Sequence, residues 1–301
     1  MAGIDQGWQR DYIGYGAHPP DPQWPAGARI AVNFNLNYEC GGESNILDGD
    51  DSSEGMLNDI GFPPVPGKRN PLAESAFEYG SRVGVWRVLR IFEEFDVRMS
   101  IFGVATALER NPEATQAFVE LSHEIVSHGY RWIDYHFVDE VEERIHIQQA
   151  ITRIQRVTGV KPVGWMTGRP GPNTRRLLVE EGFTYHMDDY SDDEPFWDKS
   201  YEKPIVILPY TLDSNDMKMW TAPSLTPADW LEYAIDTFEW LYREGVGAPR
   251  MMSLGVHLRI IGRPGRIGYF EKFLDHVAAK PGVWITTRKN IADSWAAQNP
   301  A

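Results

Sequence analysis

The chain has 301 residues, 42% of them hydrophobic, with 11 tryptophans, which supports a large packed core, and no Ser/Gly linker or repeat divides it. Its 43 acidic residues against 29 basic ones give a net charge of −14, which argues against a nucleic-acid backbone or an anionic membrane as partner. The single cysteine, Cys40, excludes an internal disulfide framework, and the acidic, proline-containing start is unlike a signal peptide. No apolar run approaches the ~18 residues of a membrane span, so a cytoplasmic protein is expected.

Residues 1–28, with Trp8, Tyr12, Tyr15, Pro19, Pro20, Pro22 and Trp24, are too rich in proline for a helix and too aromatic for a free tail. They read as an extended arm over the core or over a neighbouring subunit. Arg29–Leu36 alternates and is rich in Val, Ile and Phe, which marks a first strand. It runs out through Asn37, Tyr38, Glu39 and Cys40 into Gly41-Gly42, a glycine pair that ends the strand sharply and lets the backbone come close to a ligand. Ser44–Pro71 is longer than an ordinary connection and is expected to be a lid, a subunit contact or disordered. Its Asp48, Asp50 and Asp51 lack EF-hand spacing and read equally as solvated surface.

Ser75–Phe95 is helical, with Val83, Trp86, Leu89, Ile91 and Phe92 on one apolar face. Strand Met99–Val104, helix Pro112–Leu121 and strand Glu124–His128 follow, then a long helix Asp139–Val157 that Gly159 stops. Next come strand Val163–Met166, helix Thr174–Glu181, and strands Thr184–Met187 and Ile205–Leu208. Helix Pro227–Arg243, strand Met251–His257, helix Tyr269–Ala278, strand Val283–Thr286 and a final helix from Asn290 complete the pattern. The stretch from Ser253 to Arg266 delivers His257 and an arginine to a strand end, then turns through glycines and a proline into a helix. On that stretch alone His257 is equally a chemical group and a structural histidine.

Strands alternating with helices require mostly parallel pairing with right-handed crossovers. No G-x-G-x-x-G follows the first strand, which removes the dinucleotide reading. Glu39, His128, Arg169, Asp188 and His257 stand after separate strands, and a barrel brings all those ends to one mouth. The expected fold is therefore a single-domain distorted (β/α) barrel of about seven parallel strands over residues 29–301.

Several short stretches, taken in order, carry a family likeness. They are Asn37-Tyr38-Glu39 with Gly41-Gly42-Glu43, Glu78-Tyr79-Gly80-Ser81-Arg82, Phe102 to Glu109, Ser127-His128-Gly129 with Trp132-Ile133, Gly168-Arg169 with Asn173 to Arg176, Pro209 to Asp213 with Asn215-Asp216, and Gly262 to Arg266. Together they resemble the polysaccharide deacetylase (NodB-homology) superfamily, and within it the metal-independent branch of PuuE-type allantoinases and cyclic imide hydrolases. In metal-holding members, an aspartate at the end of the first strand and two histidines four residues apart after the third hold the ion. Here the first histidine is His128, the position four later is Trp132, and the aspartate position falls on Cys40. The resemblance thus implies no cofactor and no tightly held catalytic metal; a zinc ion, if one binds, has His128 and Cys40 as ligands, unless His136 joins them.

The resemblance also assigns roles. Glu39 matches the family's catalytic carboxylate, the base for water, and His257 its general acid; the bland alternative for Glu39 is a strand-end glutamate paired with an arginine. Arg169 matches the arginine that orients the carboxylate, or else it holds a carboxylate of the ring-opened product. Tyr38 and Trp132 suit the walls of a flat pocket or else pack the core, Cys40 and His128 adjoin substrate, and Asp188, with Asp189, orients His257, binds ureide N–H groups or belongs to a solvated acidic loop with Asp192, Asp193 and Glu194. A metal-free site supplies weaker electrophilic activation, so the expected substrate is a small cyclic amide, an allantoin-like ureide or a cyclic imide. One departure stands out: the allantoinase branch reads Glu-Glu where this chain has Glu39-Cys40. Other readings are a metal-dependent deacetylase of N-acetylated sugars or peptidoglycan, an inactive small-molecule-binding homologue, and a covalent enzyme with Cys40 as nucleophile. By resemblance the protein is a homo-oligomer, a tetramer.

Overall fold

The first strand, β1 (Ile30–Tyr38), sets the architecture because its alternation is complete. Ile30, Val32, Phe34, Leu36 and Tyr38 point outward into the main core beneath the helices. Ala31 belongs to a second core cluster with Phe102, Val126, Met187 and Met251, inside the curl of the sheet. The period-2 geometry of a strand puts Asn33, Asn35, Asn37 and then Glu39 on that same inward face. A computed structural model, describing residues 7–220 and 224–301, shows what is built around this strand. The first six residues of the anticipated arm lie outside the described residues.

Eight further strands join β1 among the described residues: β2 (Ser100–Gly103), β3 (Glu124–Ser127), β4 (Gly164–Trp165), β5 (Tyr185–His186), β6 (Phe196–Asp198), β7 (Ile205–Ile207), β8 (Arg250–His257) and β9 (Val283–Ile285). Their order is β6-β7-β5-β4-β3-β2-β1-β8, with β9 also on β1. Every pairing is parallel except β6 with β7. One edge of β1 pairs with β8 from Ile30↔Arg250 to Asn37↔His257. Its other edge is shared, Ile30–Val32 with β9 and Asn35–Tyr38 with β2. In the fork between those partners, Asn33 Nδ2 donates to Ser100 Oγ (3.1 Å) and to the Thr286 carbonyl (2.8 Å).

Side chains bridge the open side of the curl. The Thr211 amide donates to Ser253 Oγ (2.9 Å), and the Ser253 amide to Thr211 Oγ1 (3.3 Å). The result is a single-domain half-barrel of the expected distorted (β/α) type. Its antiparallel member, β6, was not anticipated.

The helices begin and end where local chemistry dictates. In α1 (Pro71–Tyr79), the Asn70 side chain accepts from the Ala73 amide and proline stands in the first turn. A wider turn, Gly80–Gly84, continues it into α2 (Val85–Glu94). A Cβ on Gly80 would lie 2.5 Å from Cys40 Sγ and 3.0 Å from the Arg259 amide, so only glycine lets this helix press against the strand ends. The helices α3 (Ala105–Arg110), α4 (Pro112–Glu120) and α5 (Glu140–Thr158) follow, α5 capped by Asp139 and stopped by left-handed Gly159 (φ 75°). None of the helices among the described residues is long and apolar enough to cross a membrane.

Ahead of β1, Trp24 Nε1 donates to the Arg250 carbonyl (2.9 Å), Tyr15 to the Pro195 carbonyl (2.7 Å), and Trp8 lies under the Arg175 guanidinium (4.0 Å). The 44–71 connection is pinned across the carboxyl ends of the strands. Asp48 pairs with Arg110 and Asp50 with Arg131, so these two aspartates are ion-paired rather than solvated; Asp59 receives Arg266 (2.7 Å).

Candidate active site

Glu39 follows the last residue of β1 and inherits its inward direction, which carries a carboxylate to the top of the curl at 1% exposure. Three groups meet it there. Arg259 Nη1 lies 2.5 Å from Oε2; His128 Nε2 is 3.2 Å and His257 Nε2 3.6 Å from Oε1. Burial alone would push the Glu39 carboxyl up, but Arg259, then His257 and His128, outweigh it and hold it well below the usual carboxylate range.

The two imidazoles are fixed from behind. His128, just past β3, has Nδ1 2.5 Å from the Met166 carbonyl, an oxygen that only accepts, so Nδ1 donates there and the ring is held with Nε2 against the carboxylate. His257 ends β8 with Nδ1 2.7 Å from Asp216 Oδ1, while its own amide donates to Asp216 Oδ2 (2.8 Å). Burial pushes the imidazole down, but Glu39 and Asp216 together raise it to about 9. At neutral pH Nε2 therefore holds a proton, facing Oε1 across a gap too long for a direct hydrogen bond.

Of the anticipated residues, the fold brings Glu39, His128 and His257 together. Arg169 does not orient Glu39. It stacks on Trp132 (4.2 Å), and its Nη2 lies 3.6 Å from Glu54 Oε2 in the overlying connection. The carboxylate belongs instead to Arg259, because the chain turns into a single helical turn (Leu258–Ile261) straight after β8 and swings that side chain back over the mouth. Asp188 does not orient His257 either. It pairs with His186 (3.0 Å) and accepts the amides of Thr167 (3.0 Å) and Gly168 (2.6 Å), which fixes the turn presenting Arg169. Asp189 binds Arg175 (2.8 Å).

Tyr38 is not a pocket wall. Strand alternation turns it away from Glu39 into the outer core, against Phe118 (5.2 Å) and Ser81 (3.1 Å). Trp132 does lie at the site, buried between the guanidiniums of Arg169 (4.2 Å) and Arg259 (5.1 Å). Cys40 is buried beside Gly80 and within hydrogen-bonding reach of Arg259, and burial pushes its thiol up to about 12.

Two residues were missed, Arg259 and Asp216. The signals were present in the His257-Leu258-Arg259 run and the Asn215-Asp216 pair.

These residues do not fit the metal centre of metal-holding members. Trp132 offers no donor, the Cys40 thiol is held neutral, and a guanidinium occupies one side of the carboxylate. His136 is exposed and bonds its neighbour Asp134 (2.9 Å). Among the described residues, no group of three or more His, Cys, Asp or Glu side chains is placed to hold a metal ion.

A half-barrel with a buried carboxylate facing an Asp-backed imidazole at its mouth defines a class, the acid–base hydrolase-type sites of curled α/β sheets. Comparison with known proteins gives the family. The polysaccharide deacetylase family model matches residues 68–186. A putative polysaccharide deacetylase of Schizosaccharomyces pombe is 39% identical over 313 residues, covering 97% of this chain and 98% of its own. The crystal structure of PuuE allantoinase superposes with a TM-score of 0.96 at 48% identity, covering 98% of this chain and 99% of that one. A probable polysaccharide deacetylase from Pseudomonas aeruginosa superposes at 0.95 with 47% identity, covering 98% and 100%. The chain belongs to the polysaccharide deacetylase family of hydrolases.

Proposed function

We propose that the protein hydrolyses a C–N bond in a small cyclic amide, an allantoin-like ureide or a cyclic imide, with Glu39 as base and His257 as acid, and without a metal. The observation that carries this reading is the 3.6 Å gap between Glu39 Oε1 and His257 Nε2, each group held from its far side by a buried partner of opposite charge. A gap of 3.6 Å is too narrow to hold a ring, so the ring amide and its water sit over the pair on the mouth side, where Oε1 and Nε2 both reach the reacting atoms. As the water oxygen bonds the ring carbonyl carbon, its proton passes to Oε1 and the carbonyl oxygen takes the negative charge. When that oxygen re-forms the double bond, the ring C–N bond breaks and the departing nitrogen takes the proton from His257 Nε2. The proton on Glu39 then returns to His257, and the product acid ionises. Its new carboxylate suits Arg169, whose guanidinium is 25% exposed and only loosely paired with Glu54.

The likeness to an allantoinase at 48% identity supports a ureide among ring substrates. The name of the S. pombe relative favours the runner-up, deacetylation of N-acetylated sugars, but the donor set described above argues against it. Incubation with allantoin, hydantoin, dihydrouracil, succinimide and N-acetylglucosamine oligomers, with carboxylate release followed, tests the choice. Turnover of a ring amide is expected; turnover of the acetylated sugars alone refutes it.

A further inference from the structure

We propose that Tyr210 is a positioning residue for the acid half of the site: its buried hydroxyl, seated in the notch that Gly255 leaves in β8, holds Asn215 and through it the carboxylate of Asp216 against His257. The inference rests on the reading of His257 as acid.

Asp216 reaches His257 from outside the sheet. Among the described residues β7 and β8 share no ladder, so the segment that carries Asp216 crosses the open side of the curl without strand pairing to β8. Asp216 is nevertheless fully buried and accepts from both the His257 ring and the His257 amide. Side chains supply the missing ties. Thr211 and Ser253 exchange bonds at one end of the segment. At the other, Asn215 Nδ2 donates to the Tyr210 hydroxyl (2.8 Å), while Asn215 Oδ1 accepts the Met217 amide (2.9 Å) and so caps the helical turn that Asp216 opens. Both ends of the Asn215 side chain are thereby used, and the Tyr210 hydroxyl decides which way it faces.

The hydroxyl stands where three elements meet. It lies within hydrogen-bonding reach of Asn37, which precedes Glu39 by two residues on the inward face of β1 and whose Nδ2 donates to the Val256 carbonyl (3.1 Å). On β8, a Cβ at Gly255 would lie 1.5 Å from the Tyr210 hydroxyl oxygen and 2.8 Å from Asn215 Nδ2, so glycine makes room for the pair two residues before His257. Tyr210 is 3% exposed with its ring beside Phe102 (6.2 Å), a place where a hydroxyl without a partner would be destabilising. The partner it has is the residue just before Asp216. Tyr210 thus acts through Asn215 and Asp216 rather than on the reacting atoms.

Tyr210→Phe removes one oxygen and keeps the ring. Tyr185→Phe is the control, because that hydroxyl is as deeply buried but bonds Glu124 at the amino end of β3, away from the site. Both are checked for folding by circular dichroism and assayed on the best ring substrate. Tyr210→Phe is expected to lower kcat about tenfold with KM changed less than about threefold, whereas Tyr185→Phe keeps native kcat. Asn215→Ser, which still caps the turn but cannot reach Tyr210, should lower kcat as well, and the double variant should be little worse than the poorer single one, because the two side chains form one path. Independently of turnover, the His257 amide should exchange with deuterium at least about tenfold faster in Tyr210→Phe than in the native protein or in Tyr185→Phe, since its acceptor Asp216 is loosened. Native kcat or native exchange at His257 in folded Tyr210→Phe overturns the proposal, as does an equal kcat loss in Tyr185→Phe or full additivity with Asn215→Ser; the serine variant decides if Tyr210→Phe does not fold. If the native protein turns over no ring amide, the functional reading fails, while exchange at His257 still decides whether Tyr210 holds Asp216.

Discussion

Replacing Asp216 by Asn probes the acid half of the site. Asp216 Oδ1 and Oδ2 accept from His257 Nδ1 (2.7 Å) and from the His257 amide (2.8 Å). An amide side chain has one acceptor and one donor end, so one of those bonds must be lost, and the negative charge behind the imidazole is lost with it. His257, now raised to about 9, owes that value first to Glu39 and then to Asp216, against the downward push of burial. An opposite charge at this distance moves a pKa by about 1 to 3, so the alkaline limb of kcat/KM should fall from near pH 9 to about pH 7. With such a move, the acid is mostly protonated at pH 8 in the native protein and about one-tenth protonated in the variant. The loss should therefore be about tenfold at pH 8 and small at pH 6.

Stability must change in step. A histidine raised from 6.5 to about 9 on folding contributes roughly 3 kcal/mol, fully present below about pH 6.5 and lost as pH rises through 9. Thermal unfolding should accordingly show a larger deficit for Asp216→Asn at pH 6 than at pH 10. A variant with its alkaline limb still near 9, or an equal loss of activity at every pH, refutes Asp216 as the group that charges His257.

Three other outcomes follow from the same geometry. Glu39→Gln should lower kcat by about 10³-fold while retaining ligand binding by calorimetry, since the amide cannot accept the water proton; near-native turnover removes Glu39 as base. Cys40, buried with its thiol raised to about 12, should resist alkylation by iodoacetamide in the native protein and react once unfolded, and Cys40→Ser should keep turnover; loss of turnover on modification would revive the nucleophile reading. Arg169→Gln should raise KM or relieve product inhibition, with kcat changed by less than about tenfold. A kcat collapse there would return Arg169 to the role that Arg259 holds in the structure.

What the sequence made legible follows its local periodicities. β1 announces its two faces in nine alternating residues, and that alternation already places Glu39 inward and Tyr38 outward. Reading both as site residues ignored the alternation. The long helices and the succession of strands and helices along the chain were legible because apolar period and caps repeat over many residues, as with Asp139 and Gly159 at the two ends of α5. β6 was not, since the three residues Phe196–Asp198 are too few to show a period.

The partners of His257 and Glu39 were hidden for a different reason. Asp216 lies 41 residues from His257, and Arg259 lies 220 from Glu39, so only the curl of the sheet brings them together. Arg169 was the natural guess from a motif, and tertiary placement overrode it. The 44–71 connection looked free because its aspartates have no partners nearby in sequence; Arg110 and Arg131 reach them through space.

The most direct test of the account is kcat/KM on a cyclic ureide before and after the protein is stripped of metal, with metal content measured in the same samples. Unchanged ring opening in the stripped protein, abolished by Glu39→Gln, is the predicted result. Loss of turnover on stripping and its recovery with added zinc would contradict it.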